Sequence, residues 1–276
     1  MAVREVTVGT AVFGAPGSLA LIGGPCVIER EALALEVAEA LRDLTGALGM
    51  PFVFKSSFDK ANRSSVDSFR GPGLTEGLVI LGRVRERLGV AVMSDVHEVA
   101  QVEPAAAVLD GLQIPAFLCR QTDLVQSVAR IGKPVNVKKG QFLSPENMGN
   151  AGGKAKAGGA SGIMITERGT SFGYNNLVVD MRGIPAMRAL GYPVVFDATH
   201  SVQLPGGLGT ASGGQRAMVA TLARAAVAAG ADALFLEVHP CPDEALCDGP
   251  TMLPLDAVRG LLESCLRIRS AVAGSR

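Results

Sequence analysis

The chain has 276 residues, of which 48% are hydrophobic and 19% charged, a composition that favours a buried core and excludes intrinsic disorder. Its 26 Lys and Arg balance its 26 Asp and Glu, so the overall charge gives no reason to expect nucleic acid or an anionic membrane as a partner. No apolar stretch approaches the roughly 20 residues that cross a bilayer, and the first residues lack the pattern of a secretory signal. We therefore expect a cytoplasmic protein that binds small molecules.

Short apolar runs alternate along the chain with longer stretches of helical periodicity, which is the pattern of a parallel α/β sheet. Strands are predicted at residues 19–24, 52–55, 91–94, 111–114, 134–138, 162–166, 193–197 and 233–237. The clearest helices are predicted at residues 30–48, 75–88, 123–131 and 215–229. Eight strands favour a single (β/α)8 TIM barrel over residues 1–276, with a doubly wound open sheet as the alternative. Residues 1–17 are predicted to form a β-hairpin that caps the barrel floor.

Two glycine-rich segments interrupt this pattern. Residues 204–214 are too flexible for a strand or helix and too long for a minimal turn, so they are interpreted as an active-site lid, with a disordered surface loop as the alternative. Residues 149–162 lack the order of a phosphate-binding P-loop. This second segment is predicted to be a helix.

The segment from Phe54 to Ser65, which follows the second predicted strand, has the composition of an anion-binding loop. A lysine offers a point charge, an arginine a planar fork for phosphate or carboxylate, and hydroxyl and amide groups offer further donors. The residues of this kind are Lys55, Ser57, Lys60, Asn62, Arg63 and Ser64. On these residues alone, a merely basic turn remains the alternative.

Polar residues follow all eight predicted strands. In a barrel of this type the carboxyl ends of the strands meet at one mouth, where active sites are built. The residues are Cys26, Lys55, Asp95 with His97, Gln113 with Arg120 after it, Lys138, Arg168, Asp197 with His200, and Glu237. Cations from four strands would face this mouth, and such a concentration of like charge is costly unless polyanionic ligands neutralise it. The pattern predicts a site for small phosphorylated substrates.

A set of possible metal ligands comes from the first, seventh and eighth strand ends, namely Cys26, His200, Glu237 and Asp248. The first and eighth strands are neighbours in a closed barrel, so these side chains can meet. A mixed set of thiolate, imidazole and carboxylate suits zinc, iron or manganese better than magnesium or calcium. No short ligand motif supports the site, and purely structural roles remain the alternative. The five cysteines are odd in number and widely spaced, which argues against structural disulfides.

Nine segments, in this order and spacing, resemble the family of 3-deoxy-D-manno-octulosonate 8-phosphate synthases. They are residues 23–26, 54–65, 94–98, 112–121, 136–141, 166–169, 196–205, 237–240 and 247–250. The resemblance implies a (β/α)8 barrel, a homotetramer, and a transferase reaction of lipopolysaccharide precursor synthesis. In that reaction phosphoenolpyruvate, D-arabinose 5-phosphate and water give 3-deoxy-D-manno-octulosonate 8-phosphate and phosphate.

The resemblance also implies roles for individual residues. Phosphoenolpyruvate would be held by Lys55, Ser57, Lys60, Gln113, Arg120, Lys138 and Arg168. Asn62, Arg63 and Ser64 would bind the sugar phosphate, Asp95 would contact polar groups of the sugar, and Phe117 would contribute to a neighbouring subunit's site. Lys60, Lys138, His200 and Asp248 are implied to be catalytic.

Cys26 determines which subclass of the family the chain resembles. Metal-dependent members carry cysteine at this position and metal-independent members carry asparagine. Cys26 together with His200, Glu237 and Asp248 therefore predicts a divalent metal cofactor, which is zinc, iron or manganese. Cys247 departs from this pattern, since a cysteine before the aspartate resembles metal-independent members. The dependence on metal is accordingly expected to be less strict.

Two other functions are weighed against this one. A related synthase condenses phosphoenolpyruvate with erythrose 4-phosphate in the aromatic pathway, and it typically carries a Lys-Pro-Arg-Thr pattern where this chain has the sequence Lys-Ala-Asn-Arg-Ser-Ser at residues 60–65. A noncatalytic anion-binding barrel is the other alternative. Polar residues at all eight strand ends argue against it.

Overall fold

Eight parallel strands close into a barrel in the computed structural model, which describes residues 3–207 and 212–273. In order around the barrel they are Ala20–Gly24, Phe52–Lys55, Ala91–Asp95, Gly111–Ile114, Val135–Lys138, Ile163–Glu167, Val194–Asp197 and Ala233–His239. The eighth strand pairs in parallel with both the seventh and the first, which closes the ring. The predicted TIM barrel is confirmed.

Helices cover the outside of the barrel. They are Glu31–Ala47, Leu74–Leu88, Val102–Val108, Thr122–Arg130, Met148–Gly158, Gly183–Ala189, Val219–Ala228 and Val258–Ala273. Every residue of the eight barrel strands is buried, because helices pack on one face of each strand and side chains fill the interior on the other. The strands therefore read as continuous apolar runs in the sequence. None of the helices in the described parts of the chain is long and apolar enough to cross a bilayer.

The amino-terminal segment forms the predicted hairpin, in which Val6–Val8 pairs with Ala11–Phe13 in antiparallel fashion. Its buried side chains share a cluster with inward-facing residues of the barrel strands, including Met164 and Phe235. A Cβ at Gly162 would meet the Val6 side chain, so the approach of the hairpin requires glycine at that point of the barrel. The hairpin thus extends the apolar interior of the barrel.

Truncation of Phe13, which is fully buried in this cluster, tests how much the hairpin stabilises the fold. Phe13→Ala should lower the free energy of unfolding by about 3–5 kcal/mol, because it removes a buried ring and leaves a cavity. Urea-induced unfolding followed by circular dichroism measures the change. A loss below about 1 kcal/mol would mean that the hairpin packs only loosely on the barrel.

Two sequence predictions need correction in detail. The seventh helix begins at Val219 instead of residue 215, because Gln215 has a non-helical backbone and a 3-10 turn, Arg216–Met218, comes first. The predicted lid is not structureless at its ends, since Gln203–Leu204 pairs with Gly213–Gly214 in a short antiparallel ribbon. Residues 208–211 of the predicted lid lie outside the described residues. The glycine-rich segment around Lys154 is the predicted helix, Met148–Gly158.

Candidate active site

A cavity of about 740 Å³ opens at the carboxyl ends of the barrel strands. Its volume is in the range of pockets that bind small molecules. The predicted site residues that line it are Lys60, Asn62, Arg63, Ser64, Lys55, Asp95, Phe117, Lys138, Arg168, His200 and Asp248. The strand ends therefore bring residues from distant parts of the sequence to one mouth, as the fold predicts.

A buried hydrogen-bond ladder fixes Asp95 at the base of the cavity. The Ser57 hydroxyl donates to Asp95 Oδ2 at 2.5 Å, and Gln113 Nε2 donates to Oδ1 at 2.5 Å. Lys55 Nζ lies 2.8 Å from Asp95 Oδ2 and donates to the Ser57 hydroxyl at 2.8 Å. Neither Asp95 nor Lys55 can therefore turn away without breaking several buried bonds.

The ladder continues through two residues that the sequence did not single out. Asn136 Nδ2 donates to Gln113 Oε1 at 2.9 Å, and the Thr166 hydroxyl donates to Asn136 Oδ1 at 2.7 Å. These bonds set which end of each amide faces its neighbour, so that Gln113 presents its Nε2 to Asp95. Asn136 lies two positions before Lys138, and Thr166 two positions before Arg168. Side chains two positions apart on a strand point to the same face, so this spacing could have identified both residues from the sequence.

The electrostatics of Asp95 follow from its neighbours. Burial alone would raise the pKa of Asp95, but the ammonium charges of Lys55, Lys60 and Lys138 outweigh burial and hold the pKa well below its usual value. Asp95 is thus an ionised carboxylate that compensates the cations around it. The predicted accumulation of positive charge at this mouth is in part neutralised by the protein itself.

Replacement of Asp95 by asparagine should change the acid stability of the protein. Since the folded-state pKa is depressed, ionised Asp95 stabilises the fold above the unfolded-state pKa of about 4 and this contribution is lost as pH falls through the folded-state value. Asp95→Asn should therefore melt at a lower temperature at neutral pH and show a weaker pH dependence below about pH 4. Thermal unfolding at several pH values measures both effects, and an unchanged acid dependence would contradict the assignment.

Asp197 holds Lys138 and His200 in place. Lys138 Nζ lies 2.6 Å from Asp197 Oδ2 and 3.8 Å from the centre of the Phe235 ring. His200 Nδ1 lies 2.7 Å from the same carboxylate oxygen, and the His200 backbone N–H donates to Oδ1 at 2.9 Å. The His200 ring is thereby oriented with Nε2 towards the cavity, at 3.4 Å from Glu237 Oε1.

The charges in this group depend on one another. Burial alone would raise the pKa of Asp197, but His200 and Lys138 outweigh it and keep the carboxyl ionised. Burial lowers the pKa of Lys138, and Asp197 only partly offsets this. Burial also lowers the pKa of Arg168, whose guanidinium donates to Gln203 Oε1 at 2.7 Å and to the His200 carbonyl at 3.1 Å. Lys138 and Arg168 are thus desolvated cations, for which an anionic ligand is a strong partner.

The four predicted metal ligands come together beside these cations. Asp248 Oδ2 lies 3.4 Å from Cys26 Sγ and 3.7 Å from His200 Nε2, and it joins two groups of possible ligand atoms. One group is Cys26, Cys247 and Asp248, and the other is His200, Glu237 and Asp248, with the ligand atoms of each within 4.8 Å of one another. Asp248 has a left-handed backbone with φ of 51°, an uncommon conformation for a residue other than glycine and one that often marks functional sites.

The local backbone explains how Cys26 reaches this cluster. Gly24 ends the first barrel strand with a φ of 159°, and a Cβ there would collide with the carbonyl of Lys55. Glycine is thus required where the first strand passes the second and turns into the segment that carries Cys26. None of the five cysteines forms a disulfide within the described residues.

Glu237 supports a divalent metal at this point. Its side chain is 1% exposed, yet neither carboxylate oxygen has a hydrogen-bond partner among the described residues. Its nearest charged groups are His200 Nε2 and Lys60 Nζ, the latter at 3.6 Å from Oε1. A buried carboxylate without hydrogen bonds is costly, and a cation between Glu237, His200, Asp248 and Cys26 would satisfy it. The residues present therefore fit a divalent metal ion.

Several predicted residues lie away from the open cavity. Ser57 and Gln113 lie beneath its lining in the buried ladder. Arg120 is exposed and is not among the described residues that line the cavity, although Ala116 and Phe117 of the preceding 3-10 turn, Ala116–Leu118, do line it. The predicted contact of Arg120 with phosphoenolpyruvate therefore has no support from this single chain. Phe117, 51% exposed, stands at the cavity rim.

The cavity also contains residues to which the sequence gave no ligand role. His97 lines it, with its ring edge-on to Phe58 at 6.1 Å between centroids, and burial lowers the pKa of its imidazole. Gln141, Gln203 and Arg216 line it as well. His97 was visible in the sequence as a strand-end residue, but no pattern distinguished it from a structural histidine.

Fold and site together define a (β/α)8-barrel enzyme with a polar bowl for small anionic substrates. Residues 5–271 match the model of the DAHP synthetase I family. The 2-dehydro-3-deoxyphosphooctonate aldolase of Trichlorobacter lovleyi is 61% identical over 260 residues, which cover 94% of this chain and 96% of that protein. The proteins of the same name from Geobacter sp. (strain M21) and Geotalea uraniireducens are 59% and 58% identical, over 98% of this chain and 98% and 99% of theirs.

The chain therefore belongs to the DAHP synthetase I family, among the 3-deoxy-D-manno-octulosonate 8-phosphate synthases. The resemblance seen in the sequence is confirmed.

Proposed function

We propose that the chain is the transferase that condenses phosphoenolpyruvate with D-arabinose 5-phosphate and water, giving 3-deoxy-D-manno-octulosonate 8-phosphate and phosphate for lipopolysaccharide precursor synthesis. The observation that carries this proposal is that one cavity is lined both by the buried cations Lys138 and Arg168 and by the outer segment Asn62, Arg63 and Ser64. Two phosphorylated substrates need two such anion sites. The names of the relatives specify the same product class.

Each substrate has a set of groups that fits it. The phosphate and carboxylate of phosphoenolpyruvate are assigned to Lys60, Lys138 and Arg168, above the ladder that holds Lys55, Ser57 and Gln113. The phosphate of the sugar is assigned to the outer segment, where Arg63 offers a bidentate fork. Asp95, fixed as an ionised acceptor, is assigned to the hydroxyls of the sugar.

The reaction forms a bond from the third carbon of phosphoenolpyruvate to the sugar aldehyde while water adds at the second carbon. Phosphate then leaves with its bridging oxygen, so the atoms of both substrates and water are all accounted for. Negative charge grows on the aldehyde oxygen and at the new hemiketal centre. Lys60 and Lys138, held in place by Glu237 and Asp197, stabilise this charge without reorganising.

We also assign a divalent metal ion, zinc, iron or manganese, to Cys26, His200, Glu237 and Asp248, and with it the metal-dependent subclass. Such an ion would supply Lewis-acid chemistry at the aldehyde or at the attacking water. Asp197 fixes the tautomer of His200 by accepting from Nδ1, which leaves Nε2 free as a ligand atom. Lys60, His200 and Asp248 are assigned as catalytic residues with Lys138, since Lys60 Nζ lies 3.6 Å from Glu237 Oε1 and His200 Nε2 lies 3.7 Å from Asp248 Oδ2.

The proposed assembly is a cytoplasmic homotetramer built from one catalytic domain over residues 1–276. Its support is the exposure of Phe117 at the cavity rim. In a tetramer, the Phe117 ring of one subunit would pack against the active site of its neighbour. The same assembly would bring the exposed Arg120 near a neighbouring subunit. Light scattering after size-exclusion chromatography tests this, and a monomer at assay concentration would contradict it.

Phosphate release from phosphoenolpyruvate separates the proposal from its alternatives. With metal present, release should depend on added arabinose 5-phosphate. Release that requires erythrose 4-phosphate would point to the aromatic-pathway synthase. Binding of phosphoenolpyruvate without release after metal reconstitution would favour a noncatalytic barrel.

A further inference from the structure

The thiol of Cys247 has no role in the proposed function, although it lies inside the cluster of proposed metal ligands. Its Sγ atom is 3.1 Å from Cys26 Sγ, and the two side chains belong to residues that are 2% and 0% exposed. Cys26, Cys247 and Asp248 each offer a ligand atom within 4.8 Å of the others. Cys247 also lines the cavity, on the side of His200 and Asp248.

A purely structural thiol is the competing explanation. Cys247 does pack with Val27 and Met252, as a small hydrophobic residue would. However, its sulfur also accepts a hydrogen bond from Arg63 Nη1 at 2.8 Å. This polar contact, beside the 3.1 Å approach to Cys26 Sγ, distinguishes the Cys247 sulfur from one that only fills apolar space.

The environment of Glu237 gives an independent observation that points to a ligand. Both of its oxygens are buried without a hydrogen-bond partner in the described part of the chain, although Lys60 Nζ lies 3.6 Å from Oε1, and a metal ion in the cluster would satisfy them. Asp248 connects the side of the cluster that contains Glu237 to the side that contains both sulfurs.

We propose that Cys247 is a second thiolate ligand of the metal ion, beside Cys26. This inference rests on the proposed metal site and extends its donor set. On binding, the divalent ion replaces the thiol protons of Cys26 and Cys247, which pass to solvent, and no electron is transferred. Arg63 then donates its hydrogen bond to the bound sulfur and acts as an outer partner that orients the ligand.

A second thiolate has a consequence for metal choice. Thiolate ligands favour zinc over manganese, whereas carboxylates suit manganese well. Cys247 therefore makes this site selective for thiophilic metals. Loss of Cys247 should weaken zinc binding by about tenfold or more while manganese binding changes much less.

Cobalt titration of the metal-free protein in reducing buffer tests the inference without measuring activity. Each cobalt–thiolate bond contributes a charge-transfer band in the near ultraviolet, so Cys247→Ser and Cys26→Ser should each lose about half of the wild-type intensity. Cys241→Ser is the matched control, since Cys241 is exposed, and its spectrum should equal that of the wild type. Competition titrations of zinc and manganese against cobalt, on the wild type and the three variants, measure how strongly each protein prefers zinc to manganese.

The outcomes separate this inference from the metal site on which it rests. Cobalt binding with an unchanged band in Cys247→Ser would overturn the second thiolate and leave the four-residue site intact. Failure of the wild type to bind cobalt would overturn the metal site, and the second thiolate with it. If Cys247→Ser does not fold, X-ray absorption of the zinc-loaded wild type decides instead: two sulfur ligands support the inference and one overturns it.

Discussion

Replacement of Lys138 by methionine should lower kcat/KM for phosphoenolpyruvate by about 10²–10³. Lys138 is a desolvated ammonium group, held 2.6 Å from Asp197 and over the Phe235 ring. Because the position is buried, water cannot take over the electrostatic role of the ammonium group when it is removed. Methionine keeps much of the side-chain volume and removes only the charge and its donors. The loss should fall mainly on kcat, because the charge it stabilises grows during the reaction.

Lys156→Met is the matched control, since Lys156 is exposed on the helix Met148–Gly158 and outside the cavity. Steady-state phosphate release with saturating arabinose 5-phosphate gives kcat and KM for both variants. A change below about fivefold in Lys138→Met would contradict the assignment of Lys138 to the reacting anion.

Replacement of Glu237 by glutamine should weaken metal binding by about 10–100-fold or more and abolish most phosphate release. Glutamine has nearly the same shape, but it removes the negative charge of a carboxylate whose oxygens have no hydrogen-bond partner among the described residues. His200, 3.4 Å away, would lose one of the two charges that face its Nε2. Metal content after dialysis, measured by emission spectroscopy, and turnover with added metal give the two effects separately.

Glu36→Gln on the exposed face of the first helix is the control for this change. Chelation of the wild type should have the same effect as Glu237→Gln and should be reversed by added metal. Unchanged turnover in fully metal-free wild-type protein would reject the metal-dependent subclass, even if Glu237→Gln lowered turnover.

The strands and their polar ends were predictable because a parallel barrel buries every strand residue. Continuous apolar runs such as Phe52–Lys55 and Val194–Asp197 leave little choice about where a strand ends, and the first polar side chain after it must face the mouth. The hairpin was predictable for a similar reason, since its alternating burial follows from its apolar pattern.

The direction of side chains beyond the strand ends was not predictable in the same way. Phe117 and Arg120 both follow the strand that contains Gln113, but Phe117 lines the cavity, whereas Arg120 is exposed and is not among the described residues that line it. Cys247 was noticed only as a departure from a pattern. Neither its contact with Cys26 nor the left-handed backbone of the next residue, Asp248, follows from periodicity in the sequence.

The balance of charge at the mouth was also misjudged from sequence. The cations were expected to repel one another until substrates neutralise them. Instead, Asp95 pairs with Lys55 and Asp197 with Lys138; burial alone would raise the pKa of each carboxyl, but the neighbouring cations hold it below its usual value. These pairs join residues that are far apart in the sequence, so they become visible only when the barrel is closed.

A competition between the two sugars tests the central claim most directly. Phosphoenolpyruvate in limiting amount is mixed with equal concentrations of arabinose 5-phosphate and erythrose 4-phosphate, the metal-loaded enzyme is added, and the products are identified by mass spectrometry. The eight-carbon product, 3-deoxy-D-manno-octulosonate 8-phosphate, should predominate, with phosphate released in equal amount. A predominantly seven-carbon product would contradict the assignment of this site.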